Sequence, residues 1–161
     1  MKYLFTIAIA LLLFACSSDD EQHVAHFGLS FDFSVLDSDG NDLLNPNNEN
    51  SFKESDIKLY YLINGEKKEV YNPNMDSPRN FFIYQEGSDA YRIRIFLNDT
   101  ESEEKTITYI LWNNIDSDTI SAEVYRNSKY NLTRMEKVWF NGQLIYELTD
   151  NTTESFYKLI K

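Results

Sequence analysis

From Phe27 to Val35 the chain alternates: Phe27, Leu29, Phe31, Phe33 and Val35 are apolar, while Gly28, Ser30, Asp32 and Ser34 are small or polar. A period of two sends successive side chains to opposite faces, so this stretch predicts a half-buried strand. The alternation returns in Ile57, Leu59, Tyr61 and Ile63, and again in Tyr91, Ile93, Ile95 and Leu97, where Arg92 and Arg94 take the other face. Asn64-Gly65 separates the run ending at Ile63 from Glu66 to Tyr71, and Asn141-Gly142 separates Leu132 to Phe140 from Gln143 to Leu148. Both pairs predict tight hairpins, because both central residues of a type I′ turn need positive φ. Phe81 to Gln85, Thr106 to Trp112, Thr119 to Arg126 and Phe156 to Ile160 are further strand candidates, the last a terminal edge. No window of helical length carries a 3.6-residue apolar stripe.

Roughly seven to nine short strands with frequent turns and no βαβ alternation predict an all-β fold. The expected architecture is an antiparallel β-sandwich, immunoglobulin-like or transthyretin-like, with a small β-barrel as the alternative. The Cys-Trp-Cys framework of antibody domains is absent. Phe31, Leu59, Ile93 and Val138 are expected to fill the inner faces, which leaves recognition to loops and strand edges. Leu36 to Ser55 lacks periodicity and is rich in Asn, Asp and Pro, and Asn72 to Asn80 carries Pro73 and Pro78. Both read as loops, and the longer one, from Asp37 to Ser55, is the leading candidate for binding.

The start of the chain follows a different pattern. Lys2 is the only charge before an apolar run from Leu4 to Ala15, interrupted by Thr6. Residues 1–15 therefore read as a secretory signal, too short for a spanning helix. Leu13-Phe14-Ala15-Cys16 resembles a bacterial lipobox, although Phe14 is bulkier than the residue usual there. The resemblance implies cleavage after Ala15 and acylation of Cys16, with palmitate among the chains. Residues 16–25, polar and acidic, then form a lipidated flexible tether, and residues 26–161 a single domain. Ser17 is not the Asp associated with inner-membrane retention, and Ser17-Ser18-Asp19-Asp20-Glu21 resembles the acidic export signal of Bacteroidota surface lipoproteins, with a plain solvated spacer as the alternative. The implied location is the outer membrane, lipid-anchored and facing the cell surface.

Charge and composition narrow the functions further. The net charge of −11 argues against nucleic acid or anionic lipid as an electrostatic partner. Cys16 is the single cysteine, so once lipidated it leaves no thiol for a disulfide, a nucleophile or a metal. The 11 Tyr and 11 Phe favour strands. The segment from Asp37 to Pro46, with Ile57 to Gly65 and Trp139-Phe140-Asn141-Gly142 after it, resembles a family of uncharacterised Bacteroidota lipoproteins. That resemblance implies a location and no chemistry.

Two constellations are candidates for function. Asp37, Asp39, Asn41 and Asp42 offer oxygen ligands in a tight segment, as a calcium site requires. The pattern departs from an EF-hand loop, since Asp42 stands where the turn glycine belongs and Asn48 where the bidentate Glu belongs. The competing reading is a strand-ending turn with Gly40 at positive φ. Trp139 and Trp112 are candidate stacking platforms for sugar or peptide, with core or rim packing as the alternative. Trp139 is expected on the strand face opposite Val138 and Phe140, together with Met135 and Lys137.

Catalysis has weaker support. His23 and His26, the two histidines, lie beside the tether, and no nucleophile elbow, zinc spacing, phosphate loop or dinucleotide fingerprint occurs. The predicted function is a non-catalytic surface binding or accessory domain for a protein or glycan partner. The alternatives are an assembly subunit that pairs through the edge at Phe156 to Ile160, or a small hydrolase using a carboxylate pair.

Overall fold

The computed structural model describes residues 29–87, 90–100, 102–130, 132–152 and 154–161. Residues 1–15, the tether 16–25 with Cys16, and both histidines lie outside the described residues. Among the described residues all ten elements are strands. They are β1 (Ser30–Leu36), β2 (Lys58–Ile63), β3 (Glu66–Glu69), β4 (Phe81–Gln85), β5 (Tyr91–Phe96), β6 (Lys105–Leu111), β7 (Ser117–Asn127), β8 (Leu132–Phe140), β9 (Gln143–Glu147) and β10 (Phe156–Ile160). A four-stranded sheet runs β10-β1-β5-β4, and a six-stranded sheet runs β3-β2-β6-β7-β8-β9. The architecture is a two-sheet β-sandwich, and neither sheet closes into a barrel.

The two-residue alternation becomes the core. Phe31, Phe33 and Val35 of β1, Leu59 of β2, Ile93 and Ile95 of β5, Ile110 of β6, Ile120 of β7 and Val138 of β8 meet between the sheets and are buried. Their aromatic members pack edge-on or tilted, Phe31 on Phe33 at 5.0 Å and Phe33 on Phe140 at 5.6 Å between centroids. Both Asn-Gly pairs turn as their chemistry requires: Asn64 and Gly65 have φ of 54° and 80°, and Asn141 and Gly142 have 48° and 83°.

Three local features depart from the expectation. β10 is an edge strand, but it pairs with β1 in parallel, Asp32 opposite Phe156 and Leu36 opposite Ile160. The other pairings among the described strands are antiparallel, both within hairpins and between strands far apart in the chain, such as β1 with β5 and β2 with β6. Met135 is buried on the same side as Val138 and Phe140, instead of sharing the outer face with Trp139. The cause is a bulge: Glu123 pairs with Lys137 and Val124 with Met135, so Glu136 is the extra residue and inverts the alternation before it.

The third departure is the long loop, which folds inward. Leu43 and Leu44 are buried, Leu43 N–H donates to Val35 at 2.8 Å, and Phe52 N–H donates to the Leu43 carbonyl at 2.8 Å. Phe52 stacks on Trp112 with centroids 5.3 Å apart. The segment caps one end of the core, so its apolar residues serve packing.

Candidate functional site

The outer face of the four-stranded sheet carries a polar cluster built by register. Asp32 of β1 stands directly opposite Arg94 of β5, and Arg92 stands opposite Tyr84 of β4. Arg94 donates to Asp32 in fork geometry, Nε to Oδ1 and a terminal nitrogen to Oδ2, both at 2.8 Å. The Tyr84 hydroxyl donates to the same carboxylate at 2.8 Å. Asp32 is only 8% exposed, so these donors replace most of its water. Burial raises the Tyr84 pKa, and its hydrogen bond to Asp32 adds to the rise. The hydrogen bond to Asp32 holds the Arg94 guanidinium firmly charged.

Arg92 extends the cluster. Its guanidinium lies 3.5 Å from both Glu86 and Glu154 and 4.3 Å above the Phe156 ring. Phe82 continues the face as an aromatic ladder, 5.7 Å from Tyr84 and 6.1 Å from Phe96, with Arg94 5.8 Å above its ring. Beside this surface opens a cleft of about 1000 Å³ that reaches past Glu154 and Ser155 to Arg134, Met135, Tyr146 and Leu148 of the six-stranded sheet and its margin. Its lining mixes planar charged groups with tyrosine rings and one apolar wall. Each carboxylate on it has a cation alongside, so the polar groups are already oriented before a ligand arrives.

At the opposite end a second polar cluster is structural. Lys161 Nζ lies 2.6 Å from both Asp116 and Asp118, and its backbone N–H donates to the Leu36 carbonyl at 2.8 Å. Asp118 also accepts from the Trp112 indole N–H and from the Asn141 side chain, both at 2.7 Å. This clasp fastens the four-stranded sheet to the β6–β7 turn of the other sheet.

The residues singled out in the sequence fall in several places. Trp112 is 0% exposed and belongs to the core, so it offers no platform to a ligand. Apolar neighbours on both strands and the cap residue Phe52 account for that burial. Trp139 is half-buried, and the Lys105 ammonium sits 3.8 Å above its ring, occupying the face a ligand would stack on. Asp37 accepts from the backbone N–H groups of Asp39 and Asn41 and from the Asn41 side chain at 2.8 to 2.9 Å. The Asn41 side-chain bond is the main reason its pKa is lowered. Asp42 points elsewhere, accepting from Leu44 N–H and, across the fold, from Tyr91 N–H, each at 2.8 Å. Asp37 and Asn41 thus form an Asx-type turn with Gly40 at φ 87°, Asp42 is held separately, and Asp39 joins through its backbone N–H. Among the described residues no group of three or more acidic, histidine or cysteine side chains is arranged to hold a metal.

Asn98, the first residue of an Asn-x-Thr triplet, is 1% exposed and spans Leu62, Ile107 and Thr100, which is a packing role. The cleft was not read from the sequence. Its signal was present in Asp32, the one charge in the first alternating strand, and in Arg92 and Arg94. Pairing them required the register. No protein-family model matches the chain, and neither curated proteins nor solved structures give a match.

Proposed function

We propose that this chain is a non-catalytic, lipid-anchored binding or accessory domain of the bacterial outer membrane or cell surface, and that it receives its ligand in the cleft beside Asp32, Tyr84 and Arg94. The observation that carries the reading is the prepaired lining of that cleft. Asp32 is held by Arg94 and Tyr84, and Glu86 and Glu154 by Arg92, so these carboxylates serve as fixed hydrogen-bonding groups. A cleft of about 1000 Å³ suits a peptide segment or a short glycan. The anchor follows from Leu13-Phe14-Ala15-Cys16, since acyl chains supply the membrane affinity that a chain of net charge −11 lacks.

Two variants test the two halves separately. Cys16→Ala is expected to abolish detergent-phase partitioning and fatty-acid labelling while leaving ligand capture intact; unchanged labelling would refute the anchor. Tyr84→Ala together with Arg92→Ala is expected to abolish the capture of peptides or glycans that the wild-type chain shows on arrays, while Asn113→Ala, in the β6–β7 turn at the opposite end, leaves it unchanged. Capture that survives the cleft variant would refute the site.

A further inference from the structure

The four-stranded sheet ends at β4, and β4 differs from every other strand. Its sequence Phe81-Phe82-Ile83-Tyr84-Gln85 contains no Asp, Glu, Lys or Arg, whereas each of the other nine strands contains at least one. Edge strands normally carry charge, bulges or cover, because their unpaired N–H and C=O groups recruit further strands. The other edges obey this rule. β3 reads Glu66-Lys67-Lys68-Glu69, β9 carries Glu147 and a register break, and β10 carries Lys158 with its flank against β9. Among the described strands, β4 approaches β5 alone.

The hydrogen-bond phase shows what this edge offers. Phe96 N–H donates to the Asn80 carbonyl at 2.9 Å, which places Asn80 and Phe96 in a hydrogen-bonded pair. Alternation then directs Phe82 and Tyr84 toward Arg94 and Arg92, and directs the backbone groups of Phe81 and Ile83 away from β5.

We infer that this edge pairs with β4 of a second copy, antiparallel about a two-fold axis at Ile83, to make a continuous eight-stranded sheet. The strand is self-complementary in that register. Ile83 meets its own equivalent, and Phe82 meets Tyr84 of the other copy on the outer face, giving two aromatic cross-strand pairs. A chain of net charge −11 repels its copies over most of its surface, but this seam sets no like charges opposite each other. One strand back on either side, Arg92 and Arg94 are matched against Asp32, Glu86 and Glu154, so little net charge stands near the seam. A heterologous strand would meet the same backbone groups without the matched aromatic pairs.

The test uses the full chain purified from membranes in mild detergent. Sedimentation is expected to show a monomer–dimer equilibrium. Ile83→Pro removes an N–H that points away from β5, twice per dimer by symmetry, and is expected to weaken association about tenfold or more, alongside a fall in melting temperature from the lost packing of Ile83 against the core. Mixed Phe82→Cys and Tyr84→Cys chains are expected to form a disulfide dimer on oxidation, whereas either variant alone is not. A wild-type chain that stays monomeric at every concentration would overturn the inference. So would a dimer indifferent to Ile83→Pro, or cross-linking as strong in the single variants as in the mixture.

Discussion

Replacing Lys161 by Met removes the ammonium of the clasp, which also lies 5.3 Å from the Trp112 ring centroid, and keeps most of the aliphatic stem. In the wild type, Nζ makes two charge-assisted contacts of 2.6 Å, to Asp116 and Asp118, and the three side chains are 15%, 33% and 9% exposed. Removing one partner of a fully buried ion pair costs about 3 to 5 kcal/mol. Asp116 is a third exposed, and Asp118 keeps the Trp112 and Asn141 donors, so the loss here is about 2 kcal/mol. For a domain of this size that corresponds to a fall in Tm of about 8 °C. In a Trp139→Phe background, Trp112 fluorescence is a local reporter of the same unfolding.

Acid supplies the control for this variant. Burial pushes the Asp118 carboxyl up, but hydrogen bonds from Lys161, Asn141 and Trp112 outweigh it and leave its pKa below the ordinary 3.8. A depressed carboxylate contributes stability that is present above 3.8 and lost as pH falls through the folded-state value. The gap between wild type and variant should therefore be constant near neutrality and narrow below pH 3.8. A fall in Tm under about 2 °C at neutral pH, or a gap that does not narrow at all as pH falls below 3.8, would refute the account.

Two further outcomes follow from the same geometry. Calcium at millimolar concentration should leave Tm unchanged, because Asp37 and Asp42 already hold internal donors; a rise with calcium that Asp39→Ala removes would restore the metal reading. Burial pushes the Tyr61 hydroxyl up to about 12, so ultraviolet titration should find it among the late-ionising tyrosines with Tyr84, with its stability contribution complete below pH 10 and declining as pH rises toward 12. Tyr61→Phe should remove that late ionisation and nothing else from the titration curve.

The alternation of Phe31, Phe33 and Val35 and the two Asn-Gly pairs made the strands and hairpins legible, because both signals are local. What the sequence hid depended on distant partners. Met135 reads as outward facing until Glu136 bulges against Glu123 and Val124. Leu43 and Leu44, set among Asn and Asp, read as loop because their burial depends on a core that other strands build. The cleft is hidden for the same reason: Asp32 and Arg94 are separated by most of the sheet's connectivity and become neighbours only through the β1–β5 register. Trp112 and Trp139 looked alike in sequence and differ because one points between the sheets and the other away from them.

The parallel pairing of β1 with β10 also decides how the domain bears tension. The two strands run the same way side by side, so chain entering β1 and chain leaving β10 depart from opposite ends of the ladder from Asp32–Phe156 to Leu36–Ile160. Pulling on those two ends slides one strand along the other and loads the whole ladder at once, where a hairpin pulled from its open end would unzip one bond at a time. Forced unfolding is governed by the rate of opening, not by equilibrium stability. A short edge strand of five residues thus becomes the mechanical latch of the domain.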